Sequence, residues 1–329
     1  MAKKVICIDL GSTQTRVWLY GKGNIFDEPT ALAIDLNNRQ VIEIGYLADK
    51  AAGRNPSSVD IVRPVRDGAI ASTDMCALFI YRVFANQGLD RFLRGATVIV
   101  SRPNRVTDVE RQALNAVFHK LRAKQVIQVP GAEMAALGAG IDTSSPRGIL
   151  AMDIGGGTSD CAAVALGKIA VSHTVKVGGT AFDNAIIRYC KRARNLVLGP
   201  ATAESCKMRI GSLNIDAENQ FLEVMGRDVS TGLPSSAILS TAEIRPVLLP
   251  LAEQIADMAT EVIQDVEPEM AADLVRSGVL VSGAGAQLGG MKEYLTKALR
   301  IPVHFATDMP NGTMLGLQRY AERMFPRKK

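Results

Sequence analysis

The spacing of apolar residues changes period along the chain. Val5-Ile6-Cys7-Ile8 is an unbroken apolar run, and Val17-Trp18-Leu19 follows after a short polar break. Together they predict two strands joined by a turn, a hairpin within residues 1–20. The pattern returns halfway along, where Gly148 to Met152 and Cys161 to Leu166 flank Asp153-Ile154-Gly155-Gly156-Gly157-Thr158-Ser159-Asp160. Between the two hairpins, Asp74 to Phe84 has amphipathic helical spacing. Thr107-x-x-Glu110 reads as a capping box, and Val109, Ala113, Val117 and Leu121 then predict one buried helical stripe. Ala96 to Val100 and Val126 to Val129 read as strands, and Glu133 to Ala139 as a short helix. Asn86 to Gly95 reads as a polar loop. In the second half, Ala181 to Arg194 and Ala201 to Ile210 are helical, and Phe221 to Ser236 is β-like with a turn at Gly226. Ser240-x-x-Glu243 is a second capping box opening a long helix to about Val266, with first turns that Pro246 and Pro250 make irregular. Val279 to Ser282 is a buried strand, Gln287 to Leu299 a helix, and Gly312 to Met324 a closing helix. This alternation places the chain in the α/β class, with mixed sheets covered by helices and a boundary near Ser144-Ser145-Pro146.

Composition narrows the class. At 329 residues there is room for two domains with well-buried cores. A hydrophobic fraction of 47% and a charged fraction of 22% are ordinary for a soluble globular protein. The net charge of +5 suits an acidic surface such as anionic lipid better than dedicated nucleic-acid binding. The basic tail Pro326-Arg327-Lys328-Lys329 reads as solvated. Five cysteines, scattered through apolar runs with no Cys-x-x-Cys pair, read as buried free thiols in a reducing compartment. The three histidines show no metal spacing. With no signal peptide and no bilayer-length apolar run, the expectation is a cytoplasmic protein, any membrane contact being peripheral.

The two hairpins share more than their apolar pattern. Asp9-Leu10-Gly11-Ser12-Thr13 and Asp153-Ile154-Gly155-Gly156-Gly157-Thr158 both read Asp–apolar–Gly followed by small hydroxyl residues. Glycines let backbone N–H groups approach an anion closely. An Asp repels phosphate but can hold magnesium through water, and the magnesium can bridge phosphates. Two such hairpins suggest two similar half-folds closing on one polyphosphate from opposite sides. The plainer alternative is a pair of ordinary hairpins. Elsewhere, Leu89, Phe92 and Leu93 beside Arg91 and Arg94 suit insertion of apolar tips among lipid headgroups. The alternative is a loop whose apolar residues fold back on the neighbouring helix.

With Ser282-Gly283-Ala284-Gly285, these turns resemble the two phosphate segments and the adenosine segment of the actin, sugar-kinase and heat-shock chaperone ATPase superfamily. Within it, the chain is similar to the bacterial actin MreB/Mbl family. Stretches carrying that likeness include Asp27-Glu28-Pro29-Thr30, Arg63-Pro64-Val65-Arg66-Asp67-Gly68, Val106-Thr107-Asp108-Val109-Glu110-Arg111 and Pro268-Glu269-Met270-Ala271-Ala272-Asp273. The resemblance implies an actin-like ATPase fold binding ATP or ADP with Mg²⁺. Its subdomains would be IA (1–28, 60–145, 310–329), IB (29–59), IIA (146–179, 240–309) and IIB (180–239). By motif position, Gly11, Ser12, Thr13 and Thr15 would hold phosphates from one side, and Gly155, Gly156, Gly157 and Thr158 from the other. Asp9 and Asp153 would organise hydrated magnesium, and Gly178, Gly179 and Asp183 would line the nucleotide cleft. Glu204 and Lys207 would reach ribose and adenine; by spacing alone they read as an exposed ion pair. Gly283, Ala284 and Gly285 would face adenosine, with Ala284 replacing a common glycine.

One departure concerns catalysis. MreB proteins usually carry Glu-Glu-Pro-Met-Ala-Ala-Ala, with a glutamate that orients the attacking water. Here the expected glutamates fall on Pro130 and Gly131 of Val129-Pro130-Gly131-Ala132-Glu133-Met134. Glu133 and Thr158 are the candidate catalytic residues, although Glu133 can equally be an acid favoured by a helix N-terminus. The resemblance implies self-assembly into paired protofilaments, an anionic membrane surface and cell-shape or wall-synthesis partners, with no nucleic acid. A hydrolysis-deficient partner of another bacterial actin is a second reading. A sugar-kinase phosphotransferase is a third, for which no carboxylate is convincingly placed.

Overall fold

The computed structural model describes residues 4–326, so Arg327, Lys328 and Lys329 of the basic tail lie outside the described residues. The elements in the first half are β1 (Val5–Leu10), β2 (Gln14–Leu19), β3 (Gly23–Pro29), β4 (Leu32–Asp35), β5 (Val41–Ile44), α1 (Gly45–Ala51), β6 (Val59–Val62), β7 (Val65–Arg66), β8 (Ala69–Ile70), α2 (Thr73–Asn86), β9 (Thr97–Arg102), α3 (Asp108–Lys120), β10 (Gln125–Pro130) and α4 (Gly131–Gly138). Those in the second half are β11 (Ile149–Ile154), β12 (Ser159–Ala165), β13 (Lys168–Val175), α5 (Gly179–Ala193), β14 (Leu196–Val197), α6 (Pro200–Ile210), β15 (Phe221–Asp228), β16 (Pro234–Ser240), α7 (Thr241–Asp265), α8 (Pro268–Ser277), β17 (Val279–Ser282), α9 (Met291–Leu299), β18 (Val303–Phe305) and α10 (Gly312–Met324). They form two compact units, residues 1–144 with 310–329, and residues 145–309.

Each unit is built on a five-stranded mixed sheet. The first runs β10-β9-β1-β2-β3, and the second β18-β17-β11-β12-β13. In both, a central strand pairs antiparallel with its hairpin partner and parallel with a later strand. The strand patterning fits this placement. β1 and β11 are almost wholly buried and read as continuous apolar runs, whereas β2 alternates buried and half-buried positions. Each unit also carries a three-stranded sheet, β5-β4-β6 in the first and β14-β15-β16 in the second.

Four local expectations need correction. Val109 is 76% exposed, and α3 instead buries Leu114, Val117 and Phe118, the i, i+3, i+4 set of one face. Gly226 lies inside β15, and the turn falls in residues 229–233. A Cβ there would approach the Val197 carbonyl of β14 to 2.5 Å, so glycine serves strand approach rather than a turn. The capping box at Thr107 is complete, but the one at Ser240 is half-formed: Ser240 accepts from the Glu243 N–H, while the Glu243 carboxylate is taken by Tyr189 and Arg194. Pro246 and Pro250 lie within an unbroken α7.

In the first unit α4 and α10 cross at glycines. A Cβ on Gly138 would overlap the Gly312 carbonyl, and one on Gly316 would overlap the Met134 carbonyl. The approach lets Met134, Leu137, Met314 and Leu317 join β1 and β9 in one core. Gly316→Ala should therefore destabilise the protein by about 1–3 kcal/mol through overpacking. A lowered urea midpoint at unchanged slope would check this.

Candidate functional site

In the first unit the C-terminal ends of the parallel strands β1, β9 and β10 bring Asp9, Ser101 and Pro130 to one sheet edge. Ligands of α/β sheets favour this edge. The β1–β2 turn is tied from several directions. Gly11 N–H donates to the Gln14 carbonyl at 3.0 Å, a fit that a Cβ, only 2.6 Å from the same oxygen, would destroy. The Thr30 hydroxyl donates to the Gly11 carbonyl at 2.8 Å, the Thr30 N–H donates to the Thr13 carbonyl, and the Gly68 N–H donates to Ser12 Oγ at 2.9 Å. Thr15 corrects an expectation. It is fully buried, with its hydroxyl 2.7 Å from that of Thr30, so it braces the turn from behind rather than facing a ligand.

Asp9 accepts from Ser101 Oγ at 2.8 Å and lies 3.5 Å from Arg16, its cross-strand partner, which also pairs with Asp27 at 3.1 Å. Burial raises the Asp9 carboxyl above its ordinary value, with Arg16 and Ser101 opposing. Arg16 and Ser101 were absent from the motif reading, and Thr30 and Gly68 entered it only as ends of family-like stretches, with no role at the site. Alternation along β2 is the one signal that could have found Arg16 opposite Asp9.

Glu133 sits in the first turn of α4, where Asn104 Oδ1 accepts from the Ala132 N–H. Burial raises its carboxyl, and the Tyr320 phenol of α10 is raised first by its own burial and then by the Glu133 charge.

In the second unit three glycine segments converge. The β11–β12 turn is closed by Gly155 N–H donating to the Thr158 carbonyl at 2.8 Å. Gly179 N–H donates to the Gly155 carbonyl at 3.0 Å, and Thr180 N–H to the Gly156 carbonyl at 2.9 Å. A Cβ on Gly178 would lie 2.6 and 2.7 Å from the Gly155 and Gly156 carbonyls. Gly283, at φ 92°, follows the end of β17, and a Cβ there would reach Asp153 Oδ1 at 2.6 Å. A Cβ on Gly285 would meet the Gly155 carbonyl at 2.8 Å. Thus Gly155–Gly157, Gly178–Gly179 and Gly283–Gly285 form one close-packed cradle of main chain beside Asp153, largely buried, in which a Cβ on Gly178, Gly283 or Gly285 would run into the backbone of residues 154–156. Thr158 Oγ1 donates to Asp160 at 3.3 Å, and Thr174 donates to the other Asp160 oxygen at 2.6 Å. Ala284, between Gly283 and Gly285, is exposed.

The spacing reading of Glu204 with Lys207 is also corrected. Lys207 Nζ pairs with Asp183 Oδ1 at 2.9 Å and donates to the Gly179 carbonyl at 3.1 Å, both side chains being 14% exposed, whereas Glu204 is exposed. Lys207 therefore clamps the first turn of α5 against the cradle. Burial raises the Asp183 carboxyl while Lys207 lowers it.

The insertion loop needs the same treatment. Leu93 is 1% exposed, and Leu89 and Phe92 pack half-buried on the first unit's core. Lys4 and Lys22 lie over the Phe92 ring at 5.6 and 5.3 Å, and Lys4 also donates to the Arg91 carbonyl at 3.1 Å. The apolar residues fold inward because the core offers them burial, and no apolar tip is presented. Among the described residues, no helix is long and apolar enough to cross a membrane, and no cluster of His, Cys, Asp and Glu has metal-site geometry.

Comparison with known proteins follows this geometry. The family model for MreB/Mbl protein matches residues 3–328. Cell shape-determining protein Mbl of Bacillus subtilis is 30% identical over 331 aligned residues, covering 100% of this chain and 99% of that protein. Cell shape-determining protein MreB of Escherichia coli is 33% identical, covering 92% and 89%. The crystal structure of MreB5 of Spiroplasma citri bound to AMPPNP superposes with a TM-score of 0.93 at 33% identity, covering 98% and 97%, and its ADP-bound counterpart with 0.91.

Lys207→Met should cost about 3 kcal/mol, because it strands a buried carboxylate. Asp183, already raised, would rise further, so the deficit is complete above its folded pKa and fades as pH falls toward its unfolded value. Denaturation at neutral and acid pH would show the narrowing gap, and Lys207→Met with Asp183→Asn should recover much of the loss.

Proposed function

The chain belongs to the MreB/Mbl family, and on that premise we propose that it binds ATP with hydrated Mg²⁺, assembles head-to-tail into filaments and serves cell shape in the cytoplasm by organising cell-wall synthesis. The observation that carries the nucleotide reading is the convergence of Gly155–Gly157, Gly178–Gly179 and Gly283–Gly285 beside Asp153. Polyphosphate recognition needs backbone N–H groups that an anion can approach closely, and the missing Cβ atoms let these three segments pack tightly around the β11–β12 turn that would present them. Gly155, Gly156, Gly157 and Thr158 would hold phosphate, as would Gly11, Ser12 and Thr13 in the other unit. Gly178 and Gly179 would line the nucleotide, and Gly283 and Gly285 would leave space for adenosine. Asp9 and Asp153 fit a hydrated cation: each ends a central strand at a sheet edge, and Asp9 is oriented by Ser101 and Arg16. Magnesium bound there would neutralise phosphate charge. The crystal structures of Spiroplasma citri MreB5 bound to AMPPNP and to ADP support this reading. The four-subdomain division, with IB over residues 29–59 and IIB over 180–239, belongs to the same proposal.

A second feature favours slow turnover. Pro130 and Gly131 stand where the family glutamates are expected, and the nearest acid, Glu133, interacts electrostatically with Tyr320 on α10. A chain that holds ATP and releases phosphate slowly would persist as a stable filament or as the partner of a more active relative.

Saturating Mg·ATP should raise the melting temperature, by linkage equivalent to about 2.7 kcal/mol at 100 times Kd. Gly283→Ala should remove that shift, and electron microscopy should show filaments with ATP only. Phosphate release should be slow and unaltered by Glu133→Gln. An absent thermal shift would sink the nucleotide reading, and fast release lost in the Glu133 variant would sink slow turnover.

A further inference from the structure

Strand register places the two central aspartates in rows of side chains that run across their sheets. In the first unit Asp9 of β1 lies opposite Arg16 of β2, and Arg16 lies opposite Asp27 of β3. Ser101 of β9 completes the row by donating to Asp9 Oδ1 at 2.8 Å. In the second unit Asp153 of β11 lies opposite Asp160 of β12 and beside Ser282 of β17, and Asp160 lies opposite Thr174 of β13. The rows correspond position by position. Each begins with a serine and the central aspartate, and then Arg16 and Asp27 stand where the other has Asp160 and Thr174. The second unit thus sets two carboxylates side by side, whereas the first sets an arginine between two carboxylates.

That arginine is loosely held for a side chain only 12% exposed. Its Nη1 reaches Asp9 Oδ2 at 3.5 Å, the long limit of a hydrogen bond. Its Nε lies 3.1 Å from Asp27 Oδ1 but makes no aligned hydrogen bond among the described residues. Asp27 is 40% exposed and also accepts from Gln14 Nε2 at 2.9 Å. A guanidinium carries more N–H donors than these contacts use, and it stays charged at any ordinary pH. Arg16 therefore has one carboxylate on the buried side and another on the exposed side, and giving up Asp9 leaves it paired with Asp27.

We propose that Arg16 is a built-in counter-cation for the phosphate-binding turn of the first unit, covering Asp9 when no divalent cation is present and so lowering the dependence of ATP binding on magnesium. The inference rests on the nucleotide reading above and concerns how charge is balanced at that site. A carboxylate beside the β1–β2 turn repels polyphosphate unless a cation covers it. The row of the second unit contains no basic residue, so its cation has to come from solution. In the first unit the chain supplies one. A hydrated cation arriving at Asp9 would displace only the long Nη1 contact, because Asp27 retains the arginine. Asp27 is accordingly a positioning residue that acts through Arg16.

Calorimetric ATP affinity of the full chain, measured in excess Mg²⁺ and again in EDTA, tests this. The wild-type protein should lose no more than about tenfold in EDTA. Arg16→Leu should widen that gap roughly tenfold or more, the effect expected of an opposite charge taken from a carboxylate at this range. Arg16→Lys should restore most of it. Asp27→Asn should act in the opposite sense, narrowing the gap about threefold, because Arg16 then has only Asp9 to pair with. A merely structural ion pair would weaken binding equally in both media and leave the gap unchanged. ATP bound by the wild type in Mg²⁺ but not in EDTA, or a gap indifferent to Arg16→Leu, would overturn the proposal and leave the nucleotide reading standing. No ATP binding by the wild type in either medium would overturn both. Should Arg16→Leu fail to fold, Asp27→Asn on the exposed side decides, and a gap that does not narrow there overturns the proposal.

Discussion

A peptide carbonyl and a Cβ cannot occupy the same place, and the second unit depends on that exclusion. Gly178 lies so near the Gly155 and Gly156 carbonyls that any side chain would force α5 away from the β11–β12 turn. With the side chain absent, N–H groups of residues 179 and 180 donate to those carbonyls, and the start of α5 is hydrogen-bonded to the turn. Gly283 and Gly285 approach from β17 on the same terms. Backbone therefore does the work that side chains do in most sites. Lys207, whose ammonium joins Asp183 to the Gly179 carbonyl, adds the electrostatic lock on the helix end.

The first unit has the same sheet order but a different means of support. Its turn is braced by hydroxyls, with Thr15 and Thr30 buried behind Gly11 and Ser12 tied to Gly68. Its Asp9 is held by Arg16 and Ser101, whereas Asp153 stands where Gly283 has no side chain to crowd it. The shared strand order and the position of each Asp on its central strand argue that one plan is used twice. Glycine-to-carbonyl contacts close the β11–β12 turn of the second unit and the α4–α10 crossing of the first.

The plan was legible in the sequence because it rests on local signals. Apolar runs marked the central strands, and Asp–apolar–Gly turns marked their ends. What escaped were partners distant in sequence. Ser101 meets Asp9 across 92 residues, and Lys207 chooses Asp183 rather than Glu204, a residue on its own helix. Thr15 looked like a ligand because hydroxyls near glycine turns often are, yet pairing with Thr30 buries it. Leu93 looked like a membrane tip because its neighbours are arginines; its burial depends on a core assembled from β1, α2 and β9. Gly226 looked like a turn because a sequence does not reveal which strand lies alongside.

The same distinction between local and distant causes bears on Glu133. At the first turn of a helix an acid is favoured by the dipole, so its presence requires no catalytic explanation. Burial already raises its carboxyl, and further desolvation around a bound polyphosphate would disfavour its charge again. A general base or water-orienting carboxylate has to remain ionised beside that anion. Pro130 and Gly131 have no side-chain oxygen to offer in its place, while they fit the strand-to-helix corner they occupy. The segment is thus well made for joining β10 to α4, and that structural role accounts for Pro130, Gly131 and Glu133 without calling on any chemistry.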